Sequence, residues 1–350
     1  MQKFLAGLVL TLGLCFLAGT SLFSQDRVER KDRKTDKSAT LIGKIIEESP
    51  AGIKVKLTTG GKEEMISSSE IVRVTYADIP IPVLAELNKA AAQEESRNFA
   101  EALKMTEAAK AKPEFNTAPA NGKRYIEFKI ASYKAALADG EEKLREAAAA
   151  LSNFVDANSD SWEYTLAAPL LARLQNDLGN TKGAINTLER LEKKSDVPQE
   201  IRSEASLALV DLSFTNGDYE AVAKRVGDIL KDAKASATAK ESVALYQLGL
   251  EGVKAPDVAA LAPTIKKLEE IAGKSNNPAV KALAYNLMGD CYLAKGAKRD
   301  AMWSYLWVDV VYNQDRNEYL KALSRLTKYF KDVGDEANEK VYAEKLSRAR

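Results

Sequence analysis

Five glycines, Gly140, Gly179, Gly217, Gly296 and Gly334, recur along the chain, each between two stretches whose apolar residues return at helical spacing. Their separations are 39, 38, 79 and 38 residues. The interval of 79 is close to twice the others, so one further unit with a less regular turn belongs between Gly217 and Gly296. A fixed period in this range marks a repeat solenoid, in which each unit buries its apolar face only by stacking on its neighbours. The expected fold class is mainly α, an α-α superhelix of about six or seven helical hairpins.

The clearest unit runs Tyr285, Met288, Gly289, Tyr292, the turn at Gly296, Ala301 and Tyr305. A large aromatic, Leu-Gly, an aromatic, Ala and an aromatic stand at these spacings in the tetratricopeptide repeat, which this unit resembles. Small residues at 289 and 301 are expected to let two antiparallel helices approach, while the larger ones fill the gaps to the next hairpin. Partial copies occur at Leu245, Leu248 and Gly249, and at Leu171, Ala172, Gly179, Ala184 and Leu188. Gly217-Asp218-Tyr219 supplies the family's commonest turn, and a first unit around Phe99, Ala102 and Met105 lacks the glycine. The period exceeds the family's 34 residues and Asn313 stands where its proline is expected, which implies longer helices or connections. The helical repeat domain is assigned to residues 83–350.

Ahead of the repeats, Lys3 precedes an apolar run from Phe4 to Gly19, then small residues and a charged stretch from Asp26 to Lys37. This is the order of a secretory signal peptide, assigned to 1–24 and expected to be cleaved near Ser21 or Ser24. No stable membrane span is then expected, and the protein would be exported, periplasmic or extracellular and envelope-associated. Leu14 precedes Cys15, where a lipoprotein signal needs a small residue, so lipidation is not expected. Residues 25–38, with six bases between Arg27 and Lys37 and four acids from Asp26 to Asp36, read as a solvated linker.

Residues 39–79 change character. β-Branched runs among Ile42, Ile45, Ile53, Val55, Ile66, Ile71 and Val74 read as three or four short strands, with turns at Pro50-Ala51-Gly52 and at Gly60-Gly61. The expectation is a small β-barrel-like module of SH3-like or Sm-like layout, leaning on the first helices or self-associating through an edge strand.

Composition narrows the chemistry. The chain has no histidine, the commonest general base and metal ligand, and without the leader a single cysteine, Cys291, which is expected to be a buried structural thiol. Fifty-one Lys and Arg against fifty Asp and Glu give no basic excess, so no nucleic-acid partner is expected. Local patterns fall short of sites. Thr59-Gly60-Gly61-Lys62 lacks the spacing and Ser/Thr of a phosphate loop, and Asp156, Asn158 and Asp160 lack the glycine and the bidentate Glu of a calcium loop. Glu141-Glu142 and Glu269-Glu270 point in different directions on a helix. Hence no catalytic residue, metal or cofactor is expected, and the protein reads as not an enzyme.

The working surface in the family is the concave side, lined by the first helix of each hairpin. By register this implies Arg173, Asn176, Asp211, Phe214, Asn286, Asp290 and Leu293 as partner-binding positions. Trp303 and Trp307, four apart on one helical face, are expected to pack against the hairpin from Leu320 to Leu346. The expected function is an exported cell-envelope adaptor that holds a protein or peptide. The alternatives are a self-assembling, homo-oligomeric structural component and, behind it, an envelope enzyme or glycan-binding protein.

Overall fold

A computed structural model describes residues 25–349 except 33, 34, 36 and 234. The expected leader, 1–24, lies outside the described residues. The chain divides into two compact units, the first ending at Ile130 but including Asn158–Glu163, the second formed by Ala131–Ala157 and the chain from Tyr164.

The first unit opens with strands β1 (Asp26–Lys31), β2 (Ser38–Ser49), β3 (Gly52–Leu57), β4 (Glu63–Ser67) and β5 (Ile71–Thr75). They form one antiparallel sheet in the order β4-β3-β2-β1-β5. The expected turns stand: β2 passes to β3 through Pro50 and Ala51, and β3 to β4 through Gly60 and Gly61, whose positive φ of 79° and 63° suits a residue without a Cβ. Two expectations are corrected. The sheet is not closed into a barrel, because β4 and β5 remain as edges. The stretch read as a linker contains β1, which lies between β2 and β5. Its charges hid it: only Val28 faces the core, while Arg30 pairs with Glu64 at 2.8 Å and Glu29 lies near Arg73. Asp26 fixes its start by accepting from the N–H groups of Ile45 and Ala77 at 2.7 and 2.8 Å. The core joins Val28, Ile53, Val55 and Ile66 to Tyr76 and Val83.

Helices α1 (Ile81–Glu95) and α2 (Phe99–Ala111) form the hairpin that lacks a glycine. Arg97 takes the left-handed position there, with φ 56°. After a 3₁₀ turn at Pro113–Thr117, α3 (Ala120–Ala136) begins, its first part belonging to this unit. The segment Asn158–Glu163 completes the unit. Trp162 is buried against Tyr125 and Phe128 and its indole N–H donates to the Tyr76 hydroxyl at 3.4 Å. Beside it Glu163 is fully buried, accepting from Arg124 Nε at 3.0 Å, while the same guanidinium also holds Glu48.

The second unit is a stack of hairpins. After α4 (Glu141–Ala157) come α5 (Tyr164–Asp177) with α6 (Thr181–Lys193), and α7 (Gln199–Thr215) with α8 (Tyr219–Lys231). Then follow α9 (Ala237–Lys254) with α10 (Val258–Lys274), α11 (Pro278–Ala294) with α12 (Lys298–Val310), and α13 (Arg316–Asp332) with α14 (Glu336–Ala349). All five spaced glycines lie at turns with φ between 73° and 83°, the conformation that ends a helix and reverses the chain at least cost without a side chain. The irregular hairpin is α9–α10, turned by Ala255-Pro256-Asp257, where the Asp257 carboxylate accepts from the Ala260 N–H at 2.8 Å and caps α10. Gly289 and Ala301 do what their size suggests: a Cβ on Gly289 would strike the Tyr305 ring, and Ala301 is wholly buried. Cys291 is a buried thiol as expected. Its Sγ lies 3.5 Å from the Gly249 carbonyl oxygen, and burial pushes its pKa up to about 12.

Candidate functional site

Two surfaces of the second unit carry chemistry, one turned inward and one outward. From α7 onward the first helix of each hairpin packs on the next first helix, α7 on α9, α9 on α11 and α11 on α13. The face they share holds a polar cluster. Asp211 on α7 accepts from the Tyr246 hydroxyl of α9 at 2.6 Å and from Lys321 Nζ of α13 at 2.9 Å. Lys321 also holds Glu318 at 2.7 Å, and the other oxygen of Glu318 accepts from the Asn286 amide of α11 at 2.8 Å. One turn further along α13, Arg325 grips Asp290 with two bonds of 2.7 and 2.6 Å, while the Tyr305 hydroxyl donates to the same carboxylate at 2.8 Å. Lys321 therefore reaches from the last first helix back to one three hairpins earlier.

The electrostatics fit a closed network. Burial favours the neutral form of Asp211, but Lys321 and Arg325 outweigh it and hold its carboxyl below the usual range. For Asp290 burial prevails over Arg325 and the pKa rises. Burial and Asp211 together push the Tyr246 hydroxyl well above its ordinary value. Both cations are already bonded to carboxylates, so the cluster joins five helices and is not arranged as an acid, base or nucleophile facing a substrate.

The register-derived residues thus divide. Asp211, Asn286 and Asp290 come together in this cluster, committed to partners within the unit, and Asn286 is 1% exposed. Phe214 is 4% exposed and packs edge-on against Tyr219 and Tyr246. Arg173 and Asn176 lie half-buried on α5, outside the cluster. Leu293 is 45% exposed and does not join it. Sequence reasoning missed Glu318, Lys321 and Arg325. Their spacing of three and four residues, a polar stripe on a helix otherwise patterned for burial, was the available signal.

The outward surface is on α12 and overturns an expectation. Trp303 and Trp307 share a helical face, but not the one that packs on the final hairpin: they are 52% and 48% exposed. The buried face of α12 is taken by Ala301, Ser304, Tyr305 and Val308, and at 100° per residue the two tryptophans point away from it. Val310, 71% exposed, and Val311 continue the outward stripe. Trp307 leans on Tyr285, 6.0 Å between ring centroids, and Tyr285 in turn on Tyr312 at 4.9 Å. α12 is thus apolar on two opposite sides, one used within the unit and one open.

Among the described residues no group of His, Cys, Asp and Glu is placed to hold a metal ion, and no helix is long and apolar enough to cross a membrane. No protein-family model matches the chain, and comparison with curated proteins finds no match. Among solved structures the chain is similar to a tetratricopeptide repeat protein from Parabacteroides merdae, at 16% identity and a TM-score of 0.48, over 76% of this chain and 98% of that one. It is also similar to the apo form of the quorum sensor NprR from B. thuringiensis, at 12% identity and a TM-score of 0.45, over 77% of this chain and 76% of that one.

Proposed function

We propose that this chain is a non-catalytic docking scaffold, exported to the cell envelope, that holds a protein partner on its helical-repeat unit. One observation carries the reading: the open apolar face of α12, where two half-exposed tryptophans and two exposed valines stand in line. Contiguous exposed apolar surface of this kind costs solubility and is characteristic of interaction sites. The inward face supports the same placement, since its charged groups are occupied by one another. Docking thus belongs on the outer face of the stack, away from the inward register positions. The exported location rests on the leader-like order of residues 1–24.

The test is photo-crosslinking in the source cells from a reactive residue at position 303, with position 143, exposed on α4, as control, followed by fractionation. An adduct with another protein from 303 and not from 143 is the expected result. Absence of any adduct from 303 would overturn docking at this face, and recovery of the chain in the cytoplasm alone would overturn export. A second reading, self-assembly into a structural component, is favoured by the two unpaired sheet edges, β4 and β5, and by exposed Met65 and Val72 on them. Its signature would be adducts between copies of this chain from β4 or β5 positions.

A further inference from the structure

We infer that Lys321 is a clasp: it holds the C-terminal block of the second unit, α12–α14, closed toward α7, and the inner face opens when its bridge to Asp211 breaks. α13 packs on α11, α12 and α14, and no comparable packing joins it to α7. The 2.9 Å bond from Lys321 Nζ to Asp211 spans that gap. Apolar packing is divided along the same seam. One core runs from Val210 of α7 through Leu245 and Leu261 to Cys291 of α11, and no side chain of α13 or α14 enters it. A second gathers Tyr305 and Val308 of α12, Leu323 and Leu326 of α13 and Tyr342 of α14. Of the buried side chains of α11, Val280, Leu283, Leu287 and Cys291 belong to the first core and Ala282 alone to the second, while the half-buried Tyr285 and Tyr292 touch both. Segments with separate cores open as separate cooperative units.

Across the inner face the two blocks are therefore held by polar groups. Lys321 and Asp211 keep 27% and 22% of their side chains exposed, so water screens their attraction and the pair contributes little net free energy. Neither is left bare when they part. Lys321 keeps Glu318 of its own helix at 2.7 Å, and Asp211 keeps the Tyr246 hydroxyl at 2.6 Å. Arg325 and Asp290, joined by two bonds and more deeply placed, link neighbouring helices and form the pivot on α11. Closure also leaves one acceptor unmet, since Asn286 Oδ1 is buried in the cluster without a protein partner, a cost that an inner face open to water removes. A replaceable tie, divided cores and an unmet acceptor place the open form within a few kcal/mol of the closed one, as a two-state element requires. The clasp thus governs access to the inner face and to Asp211, Asn286 and Asp290 upon it.

Spin labels read the opening directly. Thr215 at the end of α7 and Lys328 on α13 are exposed, and Cys291 is buried away from the label. With Thr215→Cys and Lys328→Cys labelled in the full chain, dipolar spectroscopy is expected to give one short distance, with a longer one in at most about a tenth of the molecules. Asp211→Asn keeps the shape and the oxygen that accepts from Tyr246 but removes the charge that holds Lys321. It should move the equilibrium about tenfold or more toward the longer distance. Asp309→Asn weakens a bond of the same kind, from Lys345 at 2.8 Å, inside the C-terminal block, and should leave the distances as they were. An unchanged distribution in Asp211→Asn with unchanged circular dichroism, or an equal shift in Asp309→Asn, would overturn the clasp. Native-state hydrogen exchange on the unsubstituted chain is a second check that needs no variant to fold. The slow amides of α12–α14 are expected to share one opening, apart from that of α7–α10, and a single opening common to both would overturn the inference as well.

Discussion

Glu163 is the residue whose chemistry is furthest from ordinary. Burial, outweighing Arg124, pushes its pKa up to about 7, and the like charge of Glu48 adds to the rise. A carboxyl raised in the folded state favours the protonated native form, so its contribution is full below about pH 4.5 and is lost as pH rises through about 7. Glu163→Gln should therefore flatten the fall in stability between these limits and raise stability at pH 8 by roughly 1–3 kcal/mol. Denaturant titrations at pH 5 and pH 8 would settle it, and an unchanged difference between the two would count against this account. Lys321 makes the complementary case. Lys321→Met strands the carboxylates of Asp211 and Glu318 and should cost on the order of 2–3 kcal/mol, less than a fully buried pair because the side chains keep some exposure. Adding Asp211→Asn should cost less than the sum of the single changes, which a double-mutant cycle measures. Register brought out Asp211, Asn286 and Asp290 of the Lys321 cluster, but the Glu163 site was not legible in the sequence. Glu163 follows Trp162 in a short connection, and its partner Arg124 and the Glu48 that shares that guanidinium lie 39 and 115 residues away. Pairing of that kind depends on the packing and leaves no local pattern.

At the scale of elements, legibility followed the strength of periodic signals. Turn glycines are required by backbone geometry, and so the hairpins at 140, 179, 217, 296 and 334 could be placed to the residue. The two hairpins without a turn glycine rested on weaker signals, one on the partial match at Phe99, Ala102 and Met105 and the other on the doubled interval and the partial match at Leu245, Leu248 and Gly249. In one of them Arg97 sits at φ 56°, where a Cβ is strained. Arg97→Gly should consequently raise the melting temperature, by an amount equivalent to about 0.5–1 kcal/mol, and a lower melting temperature would show that the Arg97 side chain contributes more than its backbone costs. β1 illustrates the opposite failure. One buried residue in six, Val28, is too little alternation to distinguish a strand from a charged tail, and the hydrogen-bonding neighbours on both sides decide the matter. α12 failed in another way: spacing showed that Trp303 and Trp307 share a face, but a helix apolar on two sides does not reveal which side is buried.

For the molecule as a whole, the mainly helical repeat class was legible because it depends on a period, while the division into units was not. The boundary does not fall between the sheet and the helices. The first unit takes in α1, α2, the start of α3 and, after an interval, Asn158–Glu163. A chain ending at residue 130 lacks Trp162 and Glu163, leaving Tyr76, Tyr125 and Arg124 uncovered. It should melt at a lower temperature than one ending at residue 163, as followed by circular dichroism, and equal melting would show that the returning segment is dispensable. The discontinuity also has a temporal side. On the ribosome the sheet and its first helices emerge well before the segment that completes them. At 5–20 residues per second the interval between residues 130 and 163 lasts roughly two to seven seconds. Throughout that interval the nascent first unit carries an unfilled aromatic pocket and an arginine awaiting its second carboxylate, so this chain emerges with a built-in pause before its earliest part can become native.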